Sequence, residues 1–274
     1  MIDRAIEVLR CAGVSVSVLP TRGAFVSALN VDGVDVLYLE KDTLDSPTGA
    51  VRGGIPLLFP FGGELADGRL LATGTHMPRH GFGRQNAWGV SRRTDASIAM
   101  QLVQDAGTHA QYPFEFDVEQ VVTATPRGLT IDLHVDSRDT KPMPIAPGWH
   151  PYFPCPVAEK LACLRQLLPE GELQARPVAC DVNVPVATGG RVDFDLPGVG
   201  KIALTCSANV KTLEIWTLPE RPFVCIEPWV GPTNVINTPD RIDVAPGKRV
   251  TLSMGIELAA GGPALIRCGR RGRT

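Results

Sequence analysis

The sequence predicts an all-β protein: a single large antiparallel β-sandwich. Apolar residues alternate with polar ones at period two from about residue 14 to residue 258. The 274 residues include 24 prolines and 28 glycines spread along the chain, which suits short strands joined by tight turns better than long helices. No repeat, linker or composition shift divides the chain, so residues 1–260 read as one sandwich domain and 261–274 as a basic tail.

Taken in order, residues 2–10 carry a short helical pattern. Val14, Val16 and Val18 then form one face of a strand. Asp32-Gly33 is a hairpin dipeptide between Ala24–Val31 and Val34–Leu39. Phe114, Phe116 and Val118 alternate with charged residues. After a turn at Pro126-Arg127-Gly128, Leu129, Ile131, Leu133 and Val135 alternate with Thr130, Asp132, His134 and Asp136. Residues 157–168 read as a second short helix. Val250, Leu252, Met254, Ile256 and Leu258 line one face of the last strand.

Composition narrows the function classes. With 44% hydrophobic and 20% charged residues the chain is an ordinary globular protein. A net charge of −2 gives no general attraction to nucleic acid or anionic membranes. No apolar run approaches the roughly 20 residues of a spanning helix, and the N-terminus lacks an apolar signal core. Seven cysteines at irregular spacings, without a CxxC pair, point to reduced thiols and a cytoplasmic setting. The basic tail from Arg267 to Thr274 reads as a solvated terminus. There is no HxH, HxxxH or HExxH spacing for a metal and no GxSxG elbow for a serine hydrolase. His76, His109 and His134 read as bystanders.

Three segments break the alternation. Arg52-Gly53-Gly54-Ile55-Pro56-Leu57-Leu58-Phe59-Pro60-Phe61-Gly62-Gly63 pairs glycines, which let a backbone approach a ligand closely, with stiffening prolines. Taken alone, it fits a rigid edge loop equally well. Pro78-Arg79-His80-Gly81-Phe82-Gly83-Arg84 sets an imidazole and a guanidinium close together; facing one cavity, both donate hydrogen bonds to hydroxyls, and Arg84 also pairs with an anion. The third comprises His150, in Gly148-Trp149-His150-Pro151-Tyr152-Phe153, and Glu227, in Val224-Cys225-Ile226-Glu227-Pro228-Trp229. Each is a titratable group beside a proline and aromatic rings, one an acid and one a base near neutral pH, a pair suited to moving protons on a small polar ring. Because Glu227 precedes proline, its strand is expected to end there with the side chain in a cleft.

These motifs, in this order, resemble the aldose 1-epimerase (galactose mutarotase-like) superfamily. The likeness rests on Arg52-Gly53-Gly54-Ile55-Pro56 with Phe59-Pro60, His80-Gly81-Phe82-Gly83-Arg84, His150-Pro151-Tyr152-Phe153, Cys225-Ile226-Glu227-Pro228-Trp229 and Val244-Ala245-Pro246-Gly247. It spans about residues 14–258. The resemblance implies a β-supersandwich with a sugar cleft and an isomerase activity without metal or organic cofactor. It makes His150 the general acid, Glu227 the general base, and Arg52 and His80 substrate-positioning groups. Arg84 follows a basic position of relatives that take hexose 6-phosphates.

The expected function is therefore interconversion of the α and β anomers of a hexose. A hexose-6-phosphate 1-epimerase and a non-catalytic sugar-binding protein are the alternatives. The partner is a small sugar or sugar phosphate, on a monomer or homodimer. Two departures bear on specificity. Relatives carry an acid in a Thr-Asp-Arg-like context where this chain reads Thr188-Gly189-Gly190-Arg191-Val192-Asp193, with Asp193 as the candidate substitute. Phe61-Gly62-Gly63-Glu64-Leu65 stands where many hexose-phosphate epimerases have Trp-Phe-Gly.

Overall fold

Strand formation follows the period-two pattern through most of the chain. The structure is a computed structural model and describes residues 5–44, 51–169, 171–172, 180–187 and 189–259. The expected basic tail lies outside these residues. β1 (Glu7–Cys11), β2 (Val14–Leu19), β3 (Phe25–Val31) and β4 (Val34–Asp35) form a four-stranded antiparallel meander. Asp32 and Gly33, at φ 50° and 88°, make the tight β3–β4 turn that the dipeptide predicts.

The helix expected at 2–10 is instead β1 from residue 7 onward. A lone nine-residue helix gains little in water. Pairing with β2 supplies ladder bonds and sets Leu9, fully buried, opposite Val16. Likewise Val34–Leu39 shrinks to the two residues of β4.

Further along come β5 (Leu57–Leu58), β6 (Gly89–Arg93), β7 (Ser97–Val103), β8 (Phe116–Thr125) and β9 (Gly128–Ser137). β10 (Met143–Ile145), β11 (Gly148–Trp149), β12 (Tyr152–Pro154), β13 (Cys180–Pro185) and β14 (Arg191–Leu196) follow. β15 (Gly200–Cys206), β16 (Thr212–Thr217), β17 (Phe223–Trp229), β18 (Ile242–Val244) and β19 (Arg249–Leu258) complete the set. The segment 157–168 holds a 3-10 turn and a single helical turn, Lys160–Leu164, less than the sequence predicts. Among the described residues no helix is long and apolar enough to cross a membrane.

A seven-stranded sheet in the order β14-β15-β19-β9-β8-β7-β6 forms one layer. Its inner face is the alternation made solid: Leu129, Ile131 and Leu133 pair with Ile256, Met254 and Leu252, all buried. Truncating one such leucine to alanine typically costs about 2–5 kcal/mol. A second large sheet runs β13-β16-β17-β11-β5, with β12 also paired to β17. All its ladders are antiparallel. Inside, the buried Gln120 donates to the Ala24 carbonyl at 2.8 Å and accepts from the Trp149 indole at 3.1 Å. That bridge ties β8 and the residue before β3 to the residue preceding His150.

Candidate active site

Strand register builds the site in rows. On one face, Asn183 of β13 stands opposite Glu214 of β16, and Glu214 opposite Glu227 of β17. Two residues along, Asp181, Trp216, Cys225 and Tyr152 form the next row across β13, β16, β17 and β12. Side chains two apart on a strand share a face, so both rows look the same way.

Two prolines mark one break in this sheet. β11 ends at Trp149 and β12 begins at Tyr152, leaving His150-Pro151 without ladder partners on β17. On the facing edge Ile226 N donates to Pro151 O and Val230 N to Pro147 O. By alternation residue 228 faces the same gap, where a proline's missing N–H costs nothing. The strand therefore runs through Pro228 to Trp229 instead of ending at Glu227. His150 and Glu227, 77 positions apart in the chain, meet at this gap with Nδ1 3.4 Å from Oε1.

Aromatic rings fix the imidazole. His150 stacks on Tyr152 (4.6 Å, 5°) and meets Trp216 edge-on at 5.7 Å. His80 lies edge-to-face with both His150 and Trp229. It takes φ 66°, and its backbone N–H donates to Gly63 O while Gly63 N–H donates to Nδ1 at 2.9 Å. Arg79 Nε also approaches His80 Nε2, at 3.2 Å. A neutral imidazole accepts through one nitrogen only. The shorter, buried Gly63 contact fills that role, so Nε2 keeps the hydrogen and His80 is a donor.

The resulting cleft, about 380 Å³, is of small-ligand size. It is lined by all five residues singled out in the sequence, Arg52, His80, Arg84, His150 and Glu227. Among the described residues neither Arg52 nor Arg84 has a carboxylate partner. Gly53 and Gly54 serve the scaffold and not a ligand: a Cβ on Gly53 would lie 2.5 Å from Leu39 Cα, and one on Gly54 2.3 Å from Val26 O.

Burial dominates the electrostatics. It pushes the Glu227 carboxyl well up, helped by the nearby Glu214 and Asp181 acids. It pulls His150 down to about 3, with Arg84 adding to the fall, and lowers His80 strongly. The resting pair is thus carboxylic acid and neutral imidazole, not the carboxylate and partly protonated imidazole that ordinary values predict. Glu214 is pushed up to about 8 by burial and by Asp181.

His150, Cys225 and Glu227 bring donor atoms within 4.8 Å of one another. Burial also pushes the Cys225 thiol well up. His150 and Glu227 are thus two titratable groups backed by a buried thiol. The described free thiols include the buried Cys155, Cys163 and Cys225.

Asp193 does not reach the cleft. It sits on β14 in the other sheet, its carboxylate 2.8 Å from Arg191. Besides Glu227, the acids that line the cleft are Asp181, Glu214 and Glu64, with Arg79, Trp216 and Thr233 beside them. Sequence reasoning missed Glu214 and Trp216 because alternation with Leu213 and Ile215 looks the same for a solvent face and a cleft face. His76 and His109 are exposed, as expected, and His134 is half-buried. His109 stands in a short helix, Ala106–Gln111, capped by Asp105.

A family model described as aldose 1-epimerase matches residues 8–175. No curated protein matches the chain significantly in sequence. Among solved structures, the Slr1438 protein of Synechocystis sp. PCC 6803 is similar at TM-score 0.83 and 26% identity, over 92% of this chain and 95% of that one. A galactose mutarotase-like protein of Lactobacillus casei ATCC 334 is similar at TM-score 0.71 and 20% identity, over 93% of this chain and 100% of that one. A galactose mutarotase related enzyme of Lactobacillus acidophilus is similar at TM-score 0.68 and 16% identity, over 93% and 98% respectively. The last two likenesses concern the fold.

Proposed function

Because the chain belongs to the aldose 1-epimerase family, we propose that it interconverts the α and β anomers of a hexose, with Glu227 as general base and His150 as general acid. The observation that carries this reading is the 3.4 Å approach of the two groups within one cleft. A cyclic aldose opens when the anomeric hydroxyl loses its proton and the ring oxygen gains one. Those two oxygens share a carbon, so base and acid must stand side by side.

Together the pair carries one titrating proton. At rest it sits on Glu227; passing it to His150 creates the working carboxylate and imidazolium with no change in net charge. Glu227 Oε2 and His150 Nδ1 are buried without a hydrogen-bond partner among the described residues, and buried polar atoms of this kind need one. The hemiacetal oxygens supply it. Glu227 then takes the anomeric proton, the C1–O5 bond breaks as C1=O forms, and His150 protonates O5. Rotation about C1–C2 and closure on the other face reverse both transfers and restore the pair. Such acid–base help gives about 10²–10⁴-fold, enough for a reaction that already runs in water. His80 Nε2–H and the Arg52 and Arg84 guanidiniums hold hydroxyls.

Glu227→Gln and His150→Asn each remove most anomer exchange, read by polarimetry or exchange NMR, with the fold retained by circular dichroism. Wild-type rates in either variant would refute the assignment and favour a non-catalytic sugar-binding protein. A hexose 6-phosphate as substrate is the second reading, favoured by the arginines in the cleft, Arg52, Arg79 and Arg84.

A further inference from the structure

We propose that Glu214 is a substrate-recognition residue that hydrogen-bonds the hydroxyl on C2, the ring position next to the anomeric carbon. The inference rests on the reading of His150 and Glu227 given above and extends it to a group that the proton transfers do not use.

Geometry carries it. β17 has β16 on one side and the β11–β12 break on the other. Glu227 is therefore flanked by Glu214 on one side and His150 on the other. The anomeric carbon has two ring neighbours, O5 and C2. With its hydroxyl at Glu227 and O5 at His150, C2 falls on the Glu214 side. Directly opposed residues hold their Cβ atoms about 4.5–5.5 Å apart, close enough for the two carboxyl ends to reach hydroxyls on adjacent carbons.

The side chain is built for a ligand. Glu214 is 3% exposed and lines the cleft, and among the described residues neither carboxyl oxygen meets a hydrogen-bond partner in good geometry. An orphaned carboxyl of this kind is costly unless something else satisfies it. Asp181 lies close enough both to contact and to repel it, and that contact pushes the carboxyl further up. The neighbour on its outer side is Asn183, which is exposed. Because burial holds Glu214 up to about 8, it carries a proton at neutral pH and both donates to and accepts from a hydroxyl.

The test compares a hexose that the wild-type protein turns over with its 2-deoxy counterpart, glucose and 2-deoxyglucose first, by exchange NMR. A site that hydrogen-bonds a hydroxyl discriminates against the analogue lacking it. Wild type should show a lower KM for the hydroxylated sugar. Glu214→Ala should raise that KM by about 10-fold, leave the 2-deoxy KM nearly unchanged, and so erase the discrimination. Glu214→Gln, whose amide also donates and accepts, should restore part of it.

Equal losses on both sugars, or discrimination that survives in the alanine variant, would overturn the proposal. The underlying reading fails separately, when Glu227→Gln exchanges anomers at the wild-type rate. Sugar binding by saturation-transfer NMR in Glu214→Ala gives the same comparison without turnover.

Discussion

Replacing Glu214 with glutamine should stabilise the protein, and more so as pH rises. Burial lifts this carboxyl from 4.5 to about 8, so the folded chain binds a proton there that the unfolded chain releases. A raised carboxyl weakens folding as pH climbs through the unfolded value, and the loss is complete above the folded one. Linkage puts the ceiling at about 1 kcal/mol at pH 5 and about 4 kcal/mol at pH 8. Water and side-chain relaxation at the cleft mouth cut this to about half. The glutamine variant should therefore gain about 2 kcal/mol more at pH 8 than at pH 5, or about 5 °C in melting temperature for a chain of this size. Scanning calorimetry of both proteins across pH 5–8 measures the difference. An equal gap between variant and wild type at every pH would refute the reasoning.

Other outcomes follow from the same structure. Arg84→Ala should raise KM for 6-phosphorylated hexoses far more than for free ones if the phosphate reading holds; equal effects measured on both classes would sink it. Gly81→Ala puts a Cβ 2.2 Å from Phe59 O at φ 65° and should cost about 2–3 kcal/mol in chemical denaturation. It should also lower turnover by displacing His80. Gln120→Leu strands the Ala24 carbonyl and the Trp149 indole N–H, which should cost about 2–4 kcal/mol. A denaturation midpoint equal to that of wild type would show that the bridge carries no weight.

Much of the architecture is legible in the sequence because a half-buried strand repeats every two residues. The runs at Val14–Val18, Leu129–Val135 and Val250–Leu258 fall on strands with the expected inner faces. Residues 2–10 mislead because a short apolar segment gives no period long enough to separate helix from strand, and only the β2 partner decides. At the site, residues in odd backbone contexts stand out: His80 before Gly81, and His150 and Glu227 each before a proline. Glu214 and Asp181 do not, because their place in the cleft depends on which strands become neighbours. Asp193, the candidate substitute for the family's acid, lies outside the cleft for the same reason. Proximity along the chain to a familiar pattern says nothing about which sheet a strand joins.

The gap between Pro151 and Pro228 has a mechanical consequence. On one edge β17 is pinned to β12 from residue 223 to 225 and to β11 at Trp229, with a long 3.4 Å bond from Ile226 to Pro151 between them; on its other edge β16 pairs with residues 225 to 229 throughout. That one edge is a seam stitched at both ends and open in the middle. The imidazole and carboxyl hang from its two lips, so a small change in their spacing breaks no ladder bond between β17 and β11 or β12.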